Sequence, residues 1–265
     1  MIRVIVDGAC GRMGKMIIQG VVQQKDMQLV GATEFSEHPQ LGQDAGEVAG
    51  IGRLGVPVSG DLPAILDGGD VVIEFTTPRA TLEHLRNVVD AGKTMVIATT
   101  GYTKEELAQV HELAAQIPCV MAPNMSVGVN VLLQAIQVVA KALGDDYDVE
   151  VIEAHHNQKV DSPSGTALRI AEVLAETLGR HLPDVGVYGR HGIVGKRLTK
   201  EIGIHAIRGG DIVGDHTVLF AGAGERLEIT HRAQSRESFA RGAIRAARWV
   251  VNAPKGLHDI REVLF

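Results

Sequence analysis

Strand-like apolar runs alternate with helical patterns through the first half of this chain. Helical spacing of apolar residues begins at about Arg12, after Pro78 and after Thr103. The intervening β-rich runs are IRVIV, QLVGAT, VVIEF, MVIAT and CVMA. This order predicts a parallel sheet covered by helices and wound by right-handed crossovers, a Rossmann-type domain. Its ligands are expected beyond the carboxyl ends of the strands.

The pattern changes after Asn124. A helix is predicted from about Val129 to Leu143, and it is followed by DVEVIEA, a helix, and the strand-like runs IGIHAIR, HTVLFA and ERLEITH. Few helices separate these strands, which favours a mixed or antiparallel second sheet in an α+β domain. The segment ESFARGAIRAARWVV has helical spacing and is expected to return to the first domain. We predict an α/β fold with one domain over 1–126 and 236–265 and another over 127–235.

A glycine-rich turn follows the first predicted strand, in VIVDGACGRMG. Gly8, Gly11 and Gly14 permit a tight turn, a close backbone approach to a pyrophosphate, and close packing of helix on strand. Cys10 stands where the common dinucleotide fingerprint has its second glycine, so the turn alone is equally compatible with an ordinary connection. Glu34 lies twenty residues past Gly14, at the end of QLVGATE, where an acid accepts the hydroxyls of an adenosine ribose. Together the two features predict dinucleotide binding.

Glu34 and the residues near it are also expected to decide whether NADH or NADPH binds better. A 2′-phosphate would be repelled by Glu34, and the next residue is Phe35, so Arg12 is the only local guanidinium. Arg12 is either a phosphate contact or a solvent-exposed cation, and a cation is disfavoured at a helix start. We expect NADH to be preferred and NADPH to be usable.

Two more turns are expected to line the nicotinamide side. EFTTP contains Thr76, and ATTGY contains Ala98, Thr99 and Thr100, each at the carboxyl end of a predicted strand. Ser, Thr and Gly turns also serve as plain connectors. APNMSVGVN closes the last predicted strand of the domain and is a candidate hinge.

The segment EAHHNQKVDSPSGTA concentrates the groups expected of a reaction site. His155, His156 and Lys159 follow the run DVEVIEA, where a strand ends and a loop begins. Ser164, Gly165 and Thr166 then open a helical pattern whose first backbone N–H groups have no intrahelical partner and can hold a carboxylate. A histidine moves protons near neutral pH, and a lysine beside such a turn indicates an acidic substrate.

Composition excludes several function classes. The formal net charge is −6, which argues against nucleic-acid or anionic-membrane partners. A hydrophobic fraction of 45% with 22% charged residues is typical of a globular protein. The two cysteines, Cys10 and Cys119, have no metal-ligand spacing and are expected to be thiols in a reducing compartment. With no signal peptide and no long apolar span recognised, a cytoplasmic location is expected.

The sequence gives little support to metal chemistry or to a non-catalytic role. Glu153 with the two histidines lacks the spacing of a helical zinc motif, so no metal is expected. Arg236 is either a substrate contact or a surface cation. A non-catalytic NAD(H)-binding regulator would keep the glycine turn and Glu34 but has no use for a Lys–His pair. A metal-dependent hydrolase would need ligands with a supporting shell.

The chain resembles the dihydrodipicolinate reductase family along essentially its whole length. The motifs that carry the resemblance are GACGRMG, FTTP, ATTGY, APNMSVGVN, EAHHNQKVDSPSGTAL, GDIVGDHTV and ERLEITHRAQSR. The histidine-lysine block is the specific part. The resemblance implies a nicotinamide cofactor on the N-terminal domain, a dicarboxylic substrate on the middle domain, and a homotetramer built through the middle domain.

The resemblance also implies roles for individual residues. His155 takes the place of the acid/base and Lys159 that of the proton donor. Substrate contacts fall on His156, Ser164, Gly165, Thr166 and Thr100. Cofactor contacts fall on Gly8, Ala9, Cys10, Gly11, Arg12, Met13, Glu34, Phe35, Thr76, Ala98, Thr99, Thr100, Ala122, Pro123, Asn124 and Met125.

The implied reaction is reduction of a cyclic imine formed from 4-hydroxy-tetrahydrodipicolinate by loss of water. Hydride arrives at C4 of the ring and an acid protonates C3, giving tetrahydrodipicolinate for diaminopimelate and lysine synthesis. Lys159 acts either as the proton donor or as the counter-ion of a carboxylate. Two departures stand out, since many bacterial members have arginine in place of Phe35 and glycine in place of Ala98. The first weakens the case for equal use of NADPH.

Overall fold

Residues 1–265 are described by a computed structural model that contains twelve strands and nine α-helices. The first part of the chain forms β1 (Ile2–Asp7), α1 (Arg12–Val22), β2 (Met27–Thr33), α2 (Ala45–Val48), β3 (Val58–Ser59), β4 (Val71–Glu74), α3 (Pro78–Asp90), β5 (Thr94–Ile97), α4 (Lys104–Ala114) and β6 (Pro118–Met121). There follow α5 (Val127–Leu143), β7 (Asp148–His155), α6 (Gly165–Thr177), α7 (Leu182–Val185), β8 (Gly186–Tyr188), β9 (Ile202–Arg208), β10 (Gly214–Ala221) and β11 (Arg226–Ala233). The chain ends with α8 (Glu237–Val250), β12 (Gly256–His258) and α9 (Ile260–Leu264). The elements group into two units, Met1–Val127 with Glu237–Phe265, and Gly128–Arg236.

The first unit is built on a seven-stranded sheet in the order β12-β6-β5-β4-β1-β2-β3. Every neighbouring pair in this sheet is parallel. The strand order reverses at β1, which pairs with β2 on one side and β4 on the other. Such a reversal opens a crevice at the carboxyl ends of the two central strands. The predicted Rossmann-type sheet is therefore confirmed.

Alternate residues of β1 supply the two cores of this sheet. Val4 and Val6 are fully buried in the cluster that includes α1, whereas Ile5 is fully buried in the cluster that includes α3 and α4. A strand covered on both faces reads as a continuous apolar run, which is why IRVIV lacks polar alternation. Full burial of each such side chain stabilises the fold by about 1.5–3 kcal/mol.

Helix α8 and strand β12, from the C-terminal part of the chain, complete the first unit. Ala240, Ala243, Ala247 and Val250 of α8 are buried in the same core as Val4 and Val6. β12 then pairs in parallel with β6 and extends the sheet by one strand. This strand was not predicted, because three residues show no measurable periodicity.

The second unit is a mixed five-stranded sheet in the order β11-β10-β7-β9-β8. β10 pairs antiparallel with β7 and β11, whereas β7 and β9 pair in parallel. Val149 and Val151 of β7 lie in a core with Ile170 and Leu174 of α6. The expectation of a mixed sheet is thus confirmed. The alternation of buried and half-buried residues along β7 places Glu153 and His155 on the buried face.

α5 is a largely apolar helix of 17 residues. By length and composition alone, Val127–Asp146 would be able to cross a membrane. Core helices of soluble proteins satisfy the same test. Leu132, Ile136 and Ala140 of this helix are buried in the core of the second unit, so its apolar face packs against the protein interior.

Candidate functional site

All the predicted cofactor residues lie at one edge of the first sheet. The segment Gly8–Met13 follows β1, Glu34 follows β2, and Thr76 follows β4. Ala98, Thr99 and Thr100 follow β5, and the residues Ala122, Pro123, Asn124 and Met125 follow β6. Because the strands are parallel, these turns share the carboxyl edge, where α/β sheets bind ligands.

The glycine turn has the geometry of a nucleotide-binding loop. Gly8 has a φ of +74°, and an added Cβ would lie 2.9 Å from the carbonyl oxygen of Phe75. A Cβ at Gly14 would lie 2.1 Å from the carbonyl oxygen of Gly8, so α1 packs directly on the turn. Gly11 is the N-cap of α1, and no side chain caps the helix. The helix therefore presents backbone N–H groups of the kind that bind phosphate.

Glu34 stands beside this turn at the end of β2. One oxygen of its carboxylate accepts a hydrogen bond from the Cys10 amide at 3.1 Å, and the other accepts from the Phe35 amide at 3.2 Å. A half-buried carboxylate held next to a pyrophosphate loop is an acceptor for ribose hydroxyls. The Phe35 side chain is 60% exposed. Arg12 is also exposed, at the start of α1.

The turns after β4 and β5 are tied together by hydroxyl groups. Thr99 is buried, and its Oγ1 accepts the backbone N–H of Thr76 at 3.1 Å. The hydroxyls of Thr76 and Thr81 donate to the carboxylate of Glu74, from Thr81 at 2.7 Å. Thr100, in contrast, is exposed at the surface of the turn. The two turns thus form one hydrogen-bonded unit with Thr100 on its outer side.

A cavity of about 530 Å³ opens beside these turns. Thr99 and Thr100 line one part of it, and Pro123 after β6 lines another. The C-terminal segment contributes Leu257, His258, Asp259 and Glu262. Its volume is in the range of small-molecule sites. No role was predicted for the C-terminal residues, because their approach to this edge depends on the pairing of β12 with β6.

In the second unit, His155 is the last residue of β7 and is held by Glu153. The Nδ1 atom of His155 lies 2.6 Å from a carboxylate oxygen of Glu153, and both side chains are buried. A carboxylate accepts only, so Nδ1 carries the hydrogen. Nε2 is then the atom of His155 that exchanges a proton. This is the arrangement in which a carboxylate orients a catalytic imidazole.

Arg208 of β9 is the main partner of Glu153. Its two terminal nitrogens each donate to a different oxygen of Glu153, both at 2.8 Å. The backbone N–H of Ser164 adds a third donor at 3.0 Å. Burial alone would raise the pKa of Glu153, but the bonds from Arg208, His155 and Ser164 outweigh it and lower the pKa. Glu153 is thus an ionised carboxylate with both oxygens occupied by donors.

Ser164 serves as the N-cap of α6. It is 2% exposed, and its hydroxyl accepts the backbone N–H of Ala167 at 3.1 Å. Both its amide and its hydroxyl are therefore engaged inside the unit, whereas Gly165 is exposed and Thr166 is half-buried at the helix start. The predicted carboxylate-binding turn therefore presents Gly165 and Thr166 to the surface rather than the Ser164 side chain.

His216 of β10 packs behind the predicted acid/base. Its ring meets that of His155 edge to face with centroids 5.2 Å apart, and its Nε2 lies 3.2 Å from the hydroxyl of Ser164. Burial, with the neighbouring His155, lowers the pKa of His216 to about 4. His216 is consequently a neutral side chain that packs against the ring of His155 and contacts Ser164, the N-cap of α6.

Lys159 and His156 lie on the loop after β7. The Nζ atom of Lys159 contacts both carboxylate oxygens of Asp161, at 2.8 and 2.9 Å. Asp161 is largely exposed, so this ion pair is open to exchange with another carboxylate. The Nδ1 atom of His156 is buried and has no hydrogen-bond partner. Lys159 and His155 are brought to the same end of β7 by the turn at residues 156–159.

Three residues at these sites were not predicted from the sequence: Glu153 as a partner of His155, Arg208, and His216. Glu153 and His155 have the two-residue spacing that puts both on one face of a strand, and this signal was available. Arg208 and His216 carried no such signal, because their proximity depends on the register of β9 and β10 against β7.

Two family models match almost all of the chain. "Dihydrodipicolinate reductase, N-terminus" matches residues 2–125, and "Dihydrodipicolinate reductase, C-terminus" matches residues 128–264. The 4-hydroxy-tetrahydrodipicolinate reductase of Trichlorobacter lovleyi is 54% identical, over 100% of this chain and 99% of the relative. The enzyme of that name from Syntrophus aciditrophicus is 50% identical, over 100% of this chain and 98% of the relative.

Solved structures show the same similarity. A dipicolinate-bound dihydrodipicolinate reductase from Paenisporosarcina sp. TG-14 matches with a TM-score of 0.78 and 28% identity, over 98% of this chain and 97% of the other. An amine dehydrogenase from Mycobacterium smegmatis has a TM-score of 0.61 and 17% identity, over 98% of this chain and 95% of the other, and shares only the fold.

Proposed function

This chain belongs to the dihydrodipicolinate reductase family, and we propose that it reduces 4-hydroxy-tetrahydrodipicolinate, by way of dihydrodipicolinate, to tetrahydrodipicolinate. It is an oxidoreductase of diaminopimelate and lysine biosynthesis that uses a nicotinamide cofactor. The observation that carries the proposal is the buried His155–Glu153–Arg208 network at the end of β7, beside Lys159 and the start of α6. A non-catalytic regulator is not favoured, since it has no use for an imidazole oriented by a buried carboxylate.

The residues at the edge of the first sheet fit a dinucleotide. The left-handed Gly8, the close approach at Gly14 and the uncapped start of α1 suit a pyrophosphate. Glu34 would accept the ribose hydroxyls, and the turns with Thr76, Ala98, Thr99 and Thr100 and with Ala122, Pro123, Asn124 and Met125 would hold the nicotinamide side. When bound, the reduced nicotinamide supplies a hydride for C4 of the substrate ring.

The residues of the second unit would bind the ring and move the proton. A substrate carboxylate would replace Asp161 as the partner of Lys159, and the amides at Gly165 and Thr166 would hold a carboxylate. Dipicolinate, bound in the related Paenisporosarcina structure, is a planar dicarboxylate of this kind. His155 would carry a proton on Nε2, with Glu153 stabilising the imidazolium, and Lys159 would donate a proton to C3 or neutralise the carboxylate. His156 would contact the substrate from the same loop.

NADH is proposed as the preferred cofactor and NADPH as a usable one. The carboxylate of Glu34 would repel a 2′-phosphate, and the exposed Phe35 offers no charge to offset it. Arg12 alone would attract the phosphate. The ratio of kcat/KM for NADH and NADPH tests this, and a strong preference for NADPH would contradict it. Replacing Phe35 with arginine should shift the ratio toward NADPH.

The experiment that tests the function follows the absorbance of NADH. The purified chain is mixed with NADH and with substrate made in situ from pyruvate and aspartate semialdehyde. A reductase consumes NADH only when both precursors are present, whereas a regulator binds NADH without consuming it. Retention of activity after treatment with chelators is expected, because no step requires a metal.

A homotetramer built through the second unit and a cytoplasmic location are proposed on the family resemblance. Light scattering during size-exclusion chromatography would give the mass of the assembly, which should be four times 28.3 kDa. A monomer at micromolar concentration would contradict the assembly but would leave the proposed chemistry unaffected.

A further inference from the structure

Two buried carboxyl groups and a half-buried histidine form a cluster beneath the predicted nicotinamide side of the first sheet. Asp7 ends β1 and Glu74 ends β4, and the two are direct register partners on neighbouring strands. They are 1% and 0% exposed, respectively. His84 of α3 approaches the Asp7 carboxylate in an ion-pair contact that lacks hydrogen-bond geometry. None of these residues has a role in the chemistry proposed above.

Each carboxyl group in this cluster has one oxygen that accepts hydrogen bonds. The second oxygen of Asp7 lies against His84, whereas the second oxygen of Glu74 has no partner. Asp7 Oδ1 accepts from the Gly8 amide at 3.0 Å and the Thr33 hydroxyl at 2.7 Å, while Glu74 Oε1 accepts from three threonine hydroxyls, those of Thr76, Thr81 and Thr99. Asp7 Oδ2 and Glu74 Oε2 are buried without a hydrogen-bond partner. One carboxylate oxygen of Asp7, one of Glu74 and one imidazole nitrogen of His84 all lie within 4.8 Å of one another.

Two ionised carboxylates cannot share this space without a compensating charge. An imidazolium at His84 offsets one negative charge, and a second, unpaired charge in a buried site costs several kcal/mol. We propose that Glu74 is a neutral, protonated acid that positions the turns after β4 and β5 for the cofactor. Its Oε2 atom, which has no hydrogen-bond partner, carries the proton, and the neutral group can therefore lie beside the Asp7 carboxylate. The inference rests on the proposed use of these turns by a nicotinamide.

The groups that face Glu74 from each packed element are consistent with this assignment. Burial, with the charge of Asp7, raises the pKa of Glu74 to about 7. Burial alone would lower the pKa of His84, but Asp7 and Glu74 outweigh it and raise the pKa. Burial raises the pKa of Tyr102, after β5, to about 12 and also raises that of Cys119 in β6, so both remain neutral. Glu74 is therefore the carboxyl group of the cluster that releases its proton near neutral pH.

The geometry links this proton to cofactor binding in two ways. Oε1 of Glu74 holds the hydroxyls of Thr76 and Thr99, one from each turn, so the acid fixes their spacing. Loss of the proton would place a second negative charge beside Asp7, whose other oxygen holds the Gly8 amide of the glycine turn. Both effects would weaken the binding of an anionic dinucleotide as pH rises.

The test measures the Kd of NADH by fluorescence between pH 6 and pH 9, without the dicarboxylic substrate. The native chain should bind about tenfold more weakly at the upper end, because an added negative charge near the glycine turn repels an anionic dinucleotide. Glu74→Gln, a permanently neutral isostere, should keep the low-pH affinity at every pH. Glu74→Ala should bind about tenfold more weakly throughout, because the threonine hydroxyls lose their shared acceptor. Glu83→Gln, which removes an exposed carboxylate next to His84, is the matched control and should behave like the native chain.

Three outcomes would overturn the inference. One is an NADH affinity of the native chain that does not change with pH. Another is a loss of affinity in Glu74→Gln as large as in Glu74→Ala, which would mean that the charge is needed. The third is one equivalent of a divalent metal in elemental analysis of the native chain, absent from His84→Ala. If Glu74→Ala fails to fold, the native pH profile and Glu74→Gln still decide the matter. Because substrate is absent, a failure of the reductase assay is a separate result.

Discussion

Replacement of Glu153 by glutamine is the sharpest test of the site in the second unit. The carboxylate accepts four bonds, from His155 Nδ1, from both terminal nitrogens of Arg208 and from the Ser164 amide. Glutamine has nearly the same shape but only one accepting oxygen. Its amide nitrogen faces the donors on the other side, so two of the four bonds are lost.

The magnitudes follow from those two bonds. Bonds to a charged group contribute about 1.5–3 kcal/mol each, and the 21% exposure of Arg208 reduces its share through solvent screening. We expect unfolding to require about 2–4 kcal/mol less free energy. The amide nitrogen would also donate to Nδ1 of His155, moving the ring hydrogen to Nε2 and removing the charge that stabilises the imidazolium. Such a change of tautomer costs up to about 10⁴-fold, and a loss of about 10²–10³-fold in kcat is expected here.

The assay separates a positioning role from a merely structural one. kcat and KM are measured for the dicarboxylic substrate across pH, with the NADH Kd and the denaturant midpoint measured alongside. kcat should fall and the shape of its pH profile should change, while the NADH Kd stays within about twofold. Glu150→Gln is the matched control, because Glu150 lies on the opposite face of β7, in a network with Arg190, Arg197 and His205. It should lose stability but keep kcat.

Either of two results would refute this reasoning. The first is a Glu153→Gln enzyme with kcat within about threefold of native, since acid–base contributions are at least 10²-fold. The second is an equal loss of kcat in Glu150→Gln, which would show that general destabilisation of the sheet is responsible.

Other perturbations have defined outcomes. Gly14→Ala should raise the NADH Kd more than tenfold and lower the unfolding free energy by about 1–3 kcal/mol, because its Cβ would overlap the Gly8 carbonyl; normal NADH titration would contradict this. Lys159→Ala should reduce kcat by about 10²–10⁴-fold with little change in NADH affinity, and recovery in Lys159→Arg would identify a counter-ion rather than a proton donor. The pKa of Glu74 is raised to about 7, so its contribution to stability is complete below its unfolded pKa and is lost as pH rises through 7. Urea unfolding should therefore show stability falling between pH 5 and pH 8, and less steeply in Glu74→Gln.

Much of the first unit could be predicted from the sequence, because the patterns that indicate its strands and turns lie within short segments. IRVIV, the glycines after it and Glu34 give a strand, a turn and an acid at fixed spacing, and the structure places them at one edge. The mixed nature of the second sheet was also predicted. α5 begins at Val127, two residues before the predicted start, which is within the ordinary uncertainty of helix ends.

The parts that could not be predicted depend on pairings between distant segments. Arg208 reaches Glu153 because β9 lies parallel to β7 with Glu153 opposite Ala206, and no pattern in either strand fixes that register. The contact of Asp7 with Glu74 has the same origin in the pairing of β1 with β4. Local periodicity identifies a buried face but does not identify which strand lies beside it.

The return of α8 and β12 to the first sheet bears on the order in which the polypeptide matures during translation. Alanines of α8 fill the core above β1, so residues 1–127 have an incomplete interior until Glu237–Phe265 have left the ribosome. The intervening segment carries its own core and is able to condense earlier. Nascent chains arrested before Glu237 should accordingly bind chaperones through the uncovered apolar face of the first sheet, and release should coincide with synthesis of α8 and β12.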